Sequence, residues 1–93
     1  MRLDLFLKIS RLVPRRSLAQ DFCDAGLIFM NGKAAKSASN VRLGDEIEIK
    51  RRHRHTKVCV TAIPEKKQMS KDEAGNLIKI ISEKEISADP LST

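Results

Sequence analysis

Residues 1–33 read MRLDLFLKISRLVPRRSLAQDFCDAGLIFMNGK, and this stretch decides the fold. Apolar residues recur in it at helical spacing over residues 3–10 and again over residues 18–25. Pro14 can occupy the first turn of the second helix, because the N–H that proline lacks would have no partner there. Gly26 is a natural residue for the position just after a helix end. The stretch therefore predicts a compact helix-turn-helix.

Short strands should follow the helix pair. Residues 27–30 form an apolar run that ends in Asn31-Gly32, the dipeptide best suited to a tight hairpin turn, so a second strand should start at Lys33. Two later runs alternate apolar with polar residues, as half-buried strands do; their apolar members are Ile47, Ile49, Val58, Val60 and Ala62. These runs predict a small, mostly antiparallel sheet.

A further helix is predicted near the C-terminal end of the chain. Ser70 and Glu73 stand at capping-box spacing. The apolar residues that follow recur at i, i+3, i+4 and i+7; they are Ala74, Leu77, Ile78 and Ile81. We expect an amphipathic helix from Ser70 to about Glu85 and a frayed tail over residues 87–93. The predicted fold class is α+β, a helix pair packed on the sheet plus this C-terminal helix.

Charge is distributed unevenly along the 93 residues, which carry a net charge of +6. Residues 1–57 hold 13 Lys and Arg against 6 Asp and Glu, whereas residues 58–93 hold 5 against 6. The first part is therefore net +7 and the second net −1, so a surface that binds a polyanion should lie in the first part. A chain of this length is one domain, too small to enclose a large active-site cavity.

Several kinds of site are not expected. Cys23 and Cys59 have no Cys or His partner at zinc spacing and should be free thiols. His53 and His55 lack a third metal ligand, and no glycine-rich loop that could bind a nucleotide follows a strand. No apolar run approaches membrane-spanning length, and charged residues interrupt the N-terminal stretch. We therefore expect a cytoplasmic protein with no catalytic residue, metal, cofactor or membrane contact.

The basic helix pair is the strongest functional signal. Arg15 and Arg16 fall in the first turn of the second predicted helix, where unpaired backbone N–H groups and the helix dipole favour an anion. The only acidic residues of the helix pair are Asp4, Asp21 and Asp24. Asp4 is interpreted as a residue that orients a neighbouring arginine, since no nucleophile or second carboxylate accompanies it. This surface suits a phosphate backbone.

A second basic run, Arg51-Arg52-His53-Arg54-His55, lies between two predicted strands. A basic hairpin tip could bind RNA, but charged residues at turns are commonly just solvated. The sequence leaves these two interpretations open. With no Trp or Tyr in the chain and its three Phe in apolar positions, a stacking platform for single-stranded bases is not expected, which leaves recognition of backbone and shape.

Five motifs, in order, make residues 1–50 resemble the S4 RNA-binding domain, the αL motif of ribosomal protein S4 and its relatives. They are Arg2-Leu3-Asp4-x-Phe6-Leu7, Arg15-Arg16-Ser17-x-Ala19, Gly26 before a short strand, Asn31-Gly32-Lys33 and Val41-x-x-Gly44-Asp45-x-Ile47. The resemblance implies an RNA-binding domain over residues 1–64, followed over residues 65–93 by a linker, a short C-terminal helix and a frayed tail. It also implies an RNA-facing surface; its residues are Arg2, Lys8, Arg11, Arg15, Arg16 and Lys33.

The whole chain resembles the S4-type P factors of bacterial ribosome-associated quality control and, more distantly, the small ribosome-associated heat-shock proteins. The heat-shock relatives usually carry a longer basic C-terminal extension, so the net −1 charge of residues 58–93 favours the P factors. This resemblance implies a monomer that binds large-subunit rRNA and peptidyl-tRNA and assists an RqcH-like tail-adding elongation factor in alanine tailing.

Three alternatives to this interpretation stay open. The chain could be a heat-shock-type ribosome recycling factor, or a generic RNA- or DNA-binding module that binds by charge alone. The third alternative is an RNA-modifying enzyme, because pseudouridine synthases carry the S4 module at their N-terminus. No catalytic domain follows the module within these 93 residues, which argues against this alternative.

Overall fold

Two short helices open the chain in the computed structural model, which describes residues 1–64 and 70–85. Helix α1 spans Leu3–Ile9 and helix α2 spans Arg16–Asp24, which confirms the predicted helix-turn-helix. Helix α1 is buried on most sides, whereas α2 fully buries only Ala19 and Cys23. Gly26 follows α2 with a φ of 74°, the left-handed conformation expected just after a helix end.

The connection between α1 and α2 differs in detail from the prediction. Arg15 is the N-cap of α2 and has an extended backbone, so Pro14 lies before the helix rather than in its first turn. Within this connection Arg11 has a φ of 63°, in the left-handed region. An L-residue other than glycine rarely adopts this conformation.

Five antiparallel strands form one sheet in the order β2-β1-β3-β4-β5. The strands are β1 Ile28–Met30, β2 Lys33–Ala34, β3 Glu46–Lys50, β4 Arg54–Val60 and β5 Ile78–Glu85. Asn31 and Gly32 both have positive φ, which confirms the predicted hairpin turn between β1 and β2. The Asn31 side chain also accepts a hydrogen bond from the Glu46 N–H at 3.0 Å, which joins the turn to β3.

The core lies between the helix pair and the sheet. Its largest fully buried side chains come from both layers: Leu3, Phe6, Leu7, Ile28, Ile47, Ile49, Val58 and Val60. Ile47 and Ile49 alternate with half-buried charged residues along β3, as predicted. Burying side chains of this size stabilises the fold by roughly 1.5–3 kcal/mol each.

The predicted C-terminal helix is present but much shorter than expected. Helix α3 spans only Lys71–Gly75, and the Ser70 hydroxyl accepts the Glu73 N–H as the capping box predicts. The prediction of a helix to Glu85 is wrong, because Ile78–Glu85 is strand β5 and pairs along the whole of β4.

Two physical factors end this helix early. Gly75 weakens a helix, and the isoleucines that follow it favour a strand. Strand β4 offers them a row of hydrogen-bonding partners that the local pattern does not reveal. The predicted linker and the predicted frayed tail lie mainly outside the described residues, and the boundary at residue 64 stays a prediction.

A candidate RNA-binding surface

Asp4 is fully buried, and its carboxylate joins the two helices. Oδ1 accepts the Leu5 N–H at 2.7 Å and Oδ2 accepts the Gln20 side-chain N–H at 2.8 Å. Arg2 approaches with Nε 3.3 Å from Oδ1 and Nη2 3.4 Å from Oδ2, and Arg16 Nε lies 3.3 Å from Oδ2. One carboxylate therefore positions an arginine from the start of each helix. We call Asp4, Arg2, Arg16 and Gln20 the Asp4 cluster.

The two arginines of the Asp4 cluster keep much of their surface in solvent. The side chain of Arg2 is 50% exposed and that of Arg16 is 43% exposed, while Asp4 between them is inaccessible. Arg16 approaches Asp4 through Nε, and its half-exposed guanidinium also faces solvent, where a ligand can reach it. The geometry presents two oriented guanidinium groups side by side, the arrangement that binds phosphate oxygens well.

Arg2 is fixed through its backbone as well as its side chain. The neighbouring Leu3 N–H donates to the Ser39 carbonyl at 2.8 Å, and Arg2 itself forms an isolated β-bridge with Asn40. The amino group of Met1 donates to the Asn40 side chain at 2.8 Å. Ser39 and Asn40, in the loop after β2, therefore hold the N-terminus of the chain in place.

The pKa of Asp4 reflects both its burial and its partners. Burial raises this pKa, but the hydrogen bonds from Gln20, Arg2, Arg16 and the Leu5 N–H lower it by more. The pKa of Asp4 therefore lies below its ordinary value, and the carboxylate is charged at neutral pH.

Replacing Asp4 with Asn should make the free energy of unfolding depend less on pH in the acidic range. A carboxyl group whose folded-state pKa is depressed adds stability above its unfolded-state pKa of about 4, and loses it as the pH falls through the folded value. Asp4→Asn should cost about 1–3 kcal/mol at pH 7, and that cost should shrink below about pH 4. Urea unfolding of both proteins across this range measures the effect; a cost that does not change with pH would contradict it.

Helix α2 begins at Arg16 without a capping side chain. Its N-cap, Arg15, makes no side-chain hydrogen bond to the helix, and the first turn contains no acidic residue. The first backbone N–H groups of α2 are therefore neither capped by the Arg15 side chain nor offset by an acidic residue in the first turn. The sequence placed both Arg15 and Arg16 in the first turn, and the structure places Arg16 there with Arg15 one position before it.

The other residues assigned to the RNA-facing surface lie around the helix pair at varying distance. Lys8 is half-buried in the last turn of α1, and Arg11 is exposed in the connection to α2. Lys33 is exposed on β2, at the edge of the sheet rather than on the helices. Of the predicted RNA-facing residues, Arg2 and Arg16 are the two that contact the Asp4 carboxylate.

Gln20 is the member of the Asp4 cluster that sequence reasoning missed. It lies four residues after Arg16 and so on the same face of α2, which is the signal that could have identified it. Its neutral amide gives Asp4 a hydrogen bond without adding a charge.

The two cysteines do not form a disulfide with each other. Cys23 and Cys59 are free thiols, as predicted, and burial together with the charges of Asp4 and Asp24 raises the pKa of Cys23 to about 11. Within residues 1–64 and 70–85, no group of three His, Cys, Asp or Glu side chains could hold a metal ion. None of the helices in those ranges has the length and apolarity needed to cross a membrane.

The chain is similar to known proteins over most of its length. The family model of the S4 domain matches residues 1–47. The chain is 41% identical over 86 residues to the RQC P-site tRNA stabilizing factor of Bacillus subtilis, covering 92% of this chain and 98% of that protein. It is 37% identical over 83 residues to the protein of the same name from Streptococcus pneumoniae, covering 89% and 92%.

A solved structure is similar over nearly the same length. The trimeric structure of Vibrio cholerae heat shock protein 15 matches with a TM-score of 0.81 at 27% identity, covering 88% of this chain and 82% of that one. This chain and heat shock protein 15 thus share the α+β fold, in which a helix pair packs on an antiparallel sheet.

Proposed function

The chain belongs to the S4 domain family and, within it, to the RQC P-site tRNA stabilizing factors; from that premise we propose that it binds RNA on the large ribosomal subunit without catalysing a reaction. The ligand is the rRNA of a large subunit that still carries peptidyl-tRNA, and the tRNA itself is a second contact. The names of the relatives support a role in ribosome-associated quality control.

One observation carries this proposal, the orientation of Arg2 and Arg16 by the buried Asp4. An ordinary solvated charge pair needs no buried carboxylate, and burying one is costly unless it is fully paired. Here the cost is met by four donors, and the result is a pair of guanidinium groups held at a fixed separation. Such a pair recognises the spacing of phosphates more than the identity of bases.

Folded RNA suits this mode of recognition. The deep, narrow major groove of A-form RNA hides its base edges, while phosphates and 2′-hydroxyls remain accessible. The uncapped N-terminus of α2 adds backbone N–H donors beside Arg16. We propose that Lys8, Arg11, Arg15 and Lys33 extend the same surface with further phosphate contacts.

The resemblance to the P factors of ribosome-associated quality control suggests further partners. We propose that the chain acts in the cytoplasm as a monomer, and that it supports alanine tailing of stalled chains by an RqcH-like elongation factor. A heat-shock-type recycling role is the second candidate, because the structural likeness to heat shock protein 15 is strong. The two roles are distinguished by measuring how much alanine is added to the nascent chain with and without this protein. A tailing factor should increase that amount, whereas a recycling factor should not.

Binding to the large subunit should depend strongly on salt. With roughly four to six phosphates neutralised, the slope of log K against log[salt] should be about −3 to −5, since each neutralised phosphate releases condensed counterions. Filter binding or fluorescence anisotropy between 50 and 300 mM KCl, roughly the range over which such slopes are measured, gives this slope directly. A slope near zero would mean that the basic surface is not the interface.

Sedimentation tests the proposed function as a whole. Purified protein is mixed with large subunits that carry peptidyl-tRNA, with empty large subunits and with duplex DNA, and each mixture is run on a sucrose gradient. We expect co-migration with the subunits that carry peptidyl-tRNA, weaker co-migration with empty subunits and none with DNA. A protein that stays at the top of the gradient, or that prefers DNA, would overturn the proposal.

A further inference from the structure

A groove separate from the Asp4 cluster lies between the C-terminal half of α2 and the turn that joins β3 to β4. Phe22 and Leu27, both half-buried, form its floor, and residues 51–54 form its wall. Glu85 at the end of β5 closes it on the far side. Phe22 is six residues beyond Arg16, about 9 Å along the helix, so the groove and the Asp4 cluster are distinct places on one helix pair. We call it the Phe22 groove.

The wall of the Phe22 groove is held in place before any ligand arrives. The Arg51 N–H donates to the Arg54 carbonyl at 2.9 Å, which closes the turn. The Arg51 guanidinium donates to the carbonyl of Leu12, in the connection between α1 and α2, and lies 5.9 Å from the centroid of the Phe22 ring. Arg51 therefore ties the turn to the helix pair, and it lines the groove beside the Phe22 ring.

The charges of the groove are only partly neutralised. Arg54 is engaged by two carboxylates, with Nη1 3.3 Å from Glu83 and Nη2 3.1 Å from Glu85. Arg51 has a neutral carbonyl as its partner, and no carboxylate in the described ranges pairs with Arg52, which is exposed at the tip of the turn. Two positive charges thus remain over an apolar, aromatic floor.

This combination matches the chemistry of a nucleotide. A base is flat and largely apolar on its faces, and stacks on aromatic rings and on guanidinium planes, while its phosphate is an anion. A regular RNA duplex would present only backbone to the protein and would leave the floor uncovered. On the basis that the chain binds RNA, as proposed above, we infer that the Phe22 groove binds one unstacked nucleotide of an RNA loop or bulge, with its base on the floor and its phosphate on Arg52.

A titration with a mononucleotide tests the groove itself. Adenosine 5′-monophosphate should shift the backbone amide signals of Leu27 and residues 51–53 in ¹H–¹⁵N spectra, and adenosine or inorganic phosphate alone should bind there at least about fivefold more weakly, because each supplies half of the contacts. Phosphate alone binding as tightly as the nucleotide would overturn the inference. So would an acidic peptide, hexa-glutamate, that binds the groove more tightly than the nucleotide, since it would identify a protein partner.

Matched variants connect the groove to RNA binding. Arg52→Ala should weaken binding of an RNA hairpin with an unpaired loop by about 3- to 10-fold and leave a blunt RNA duplex unaffected, as expected for one lost charged contact. Lys79→Ala is the control. Lys79 is exposed on β5 opposite Cys59, whereas Arg54 lies at the other end of the β4–β5 pair. Its removal should change the affinity for neither RNA.

The Arg16→Ala variant separates the two proposals. If Arg52→Ala binds both RNAs like the parent while Arg16→Ala weakens both, the inference about the groove is overturned and the proposed function stands. If Arg16→Ala also binds both RNAs like the parent, the proposed function fails, and the inference that rests on it fails with it.

Discussion

Truncation after Glu65 should leave the protein largely unfolded under conditions where the parent is folded. The truncation removes β5, which pairs along all of β4, and it removes Leu77, whose side chain is only 2% exposed. It also leaves the N–H groups of Thr61 and Ala62 without the Leu77 carbonyl that accepts them. The loss of one buried leucine and a strand ladder is on the order of 5 kcal/mol, comparable to the whole stability of a small domain.

Circular dichroism during urea unfolding measures this effect, and a second truncation provides its control. Truncation after Glu85 keeps every described contact of β5 and should shift Tm by no more than a few degrees, since a few degrees correspond to under about 1 kcal/mol in a domain of this size. A protein that ends at Glu65 and still unfolds cooperatively at the Tm of the parent would contradict the role assigned to β5.

Replacing Arg16 with Ala should lower the affinity for large subunits by roughly 5- to 150-fold, or about 1–3 kcal/mol. The change removes a charged, oriented guanidinium at the N-terminus of α2, where we propose that the helix and the side chain bind the same phosphate. Asp4 would keep its hydrogen bonds from Arg2, Gln20 and the Leu5 N–H, so the fold should survive. Arg2→Ala should have an effect of the same size, because it removes the other guanidinium that Asp4 orients.

Two further variants show whether geometry or charge alone matters. Arg16→Lys keeps the charge but loses the planar fork, and should recover only part of the lost affinity. Lys57→Ala removes a similarly exposed cation that lies 3.6 Å from Glu46 on the sheet, and should change affinity by less than about twofold. Equal losses for Lys57→Ala and Arg16→Ala would mean that binding follows net charge, as for a generic nucleic-acid-binding module.

The elements that the sequence predicted well are those determined by local signals. The helix pair has clear apolar spacing and a glycine at its end, and the hairpin is marked by Asn31-Gly32. Strand β5 was missed because its residues fit a helical stripe nearly as well as a strand, and the deciding factor is the exposed edge of β4. A partner distant in sequence cannot be identified from the periodicity of the segment itself.

Of the candidate site, the sequence predicted the part that depends on neighbouring residues and missed the contacts between elements. Asp4 was correctly interpreted as an orienting residue, because a lone acid among arginines has few other roles. That it binds an arginine from each helix, with Gln20 as a further donor, depends on how α1 crosses α2, which spacing along one helix does not determine. The pairing of Arg54 with Glu83 and Glu85 was likewise hidden, since it depends on the unexpected strand β5.

The left-handed backbone of Arg11, with its φ of 63°, sets folding stability against the proposed RNA contact at a single residue. Glycine adopts this conformation without steric cost, whereas an arginine there forgoes on the order of 1 kcal/mol of folding free energy. The chain keeps the costlier residue at a position that we propose faces RNA. If Arg11 contacts RNA as proposed, substitutions that relieve its backbone strain and so stabilise the fold should also weaken RNA binding, and the two effects should compete at Arg11.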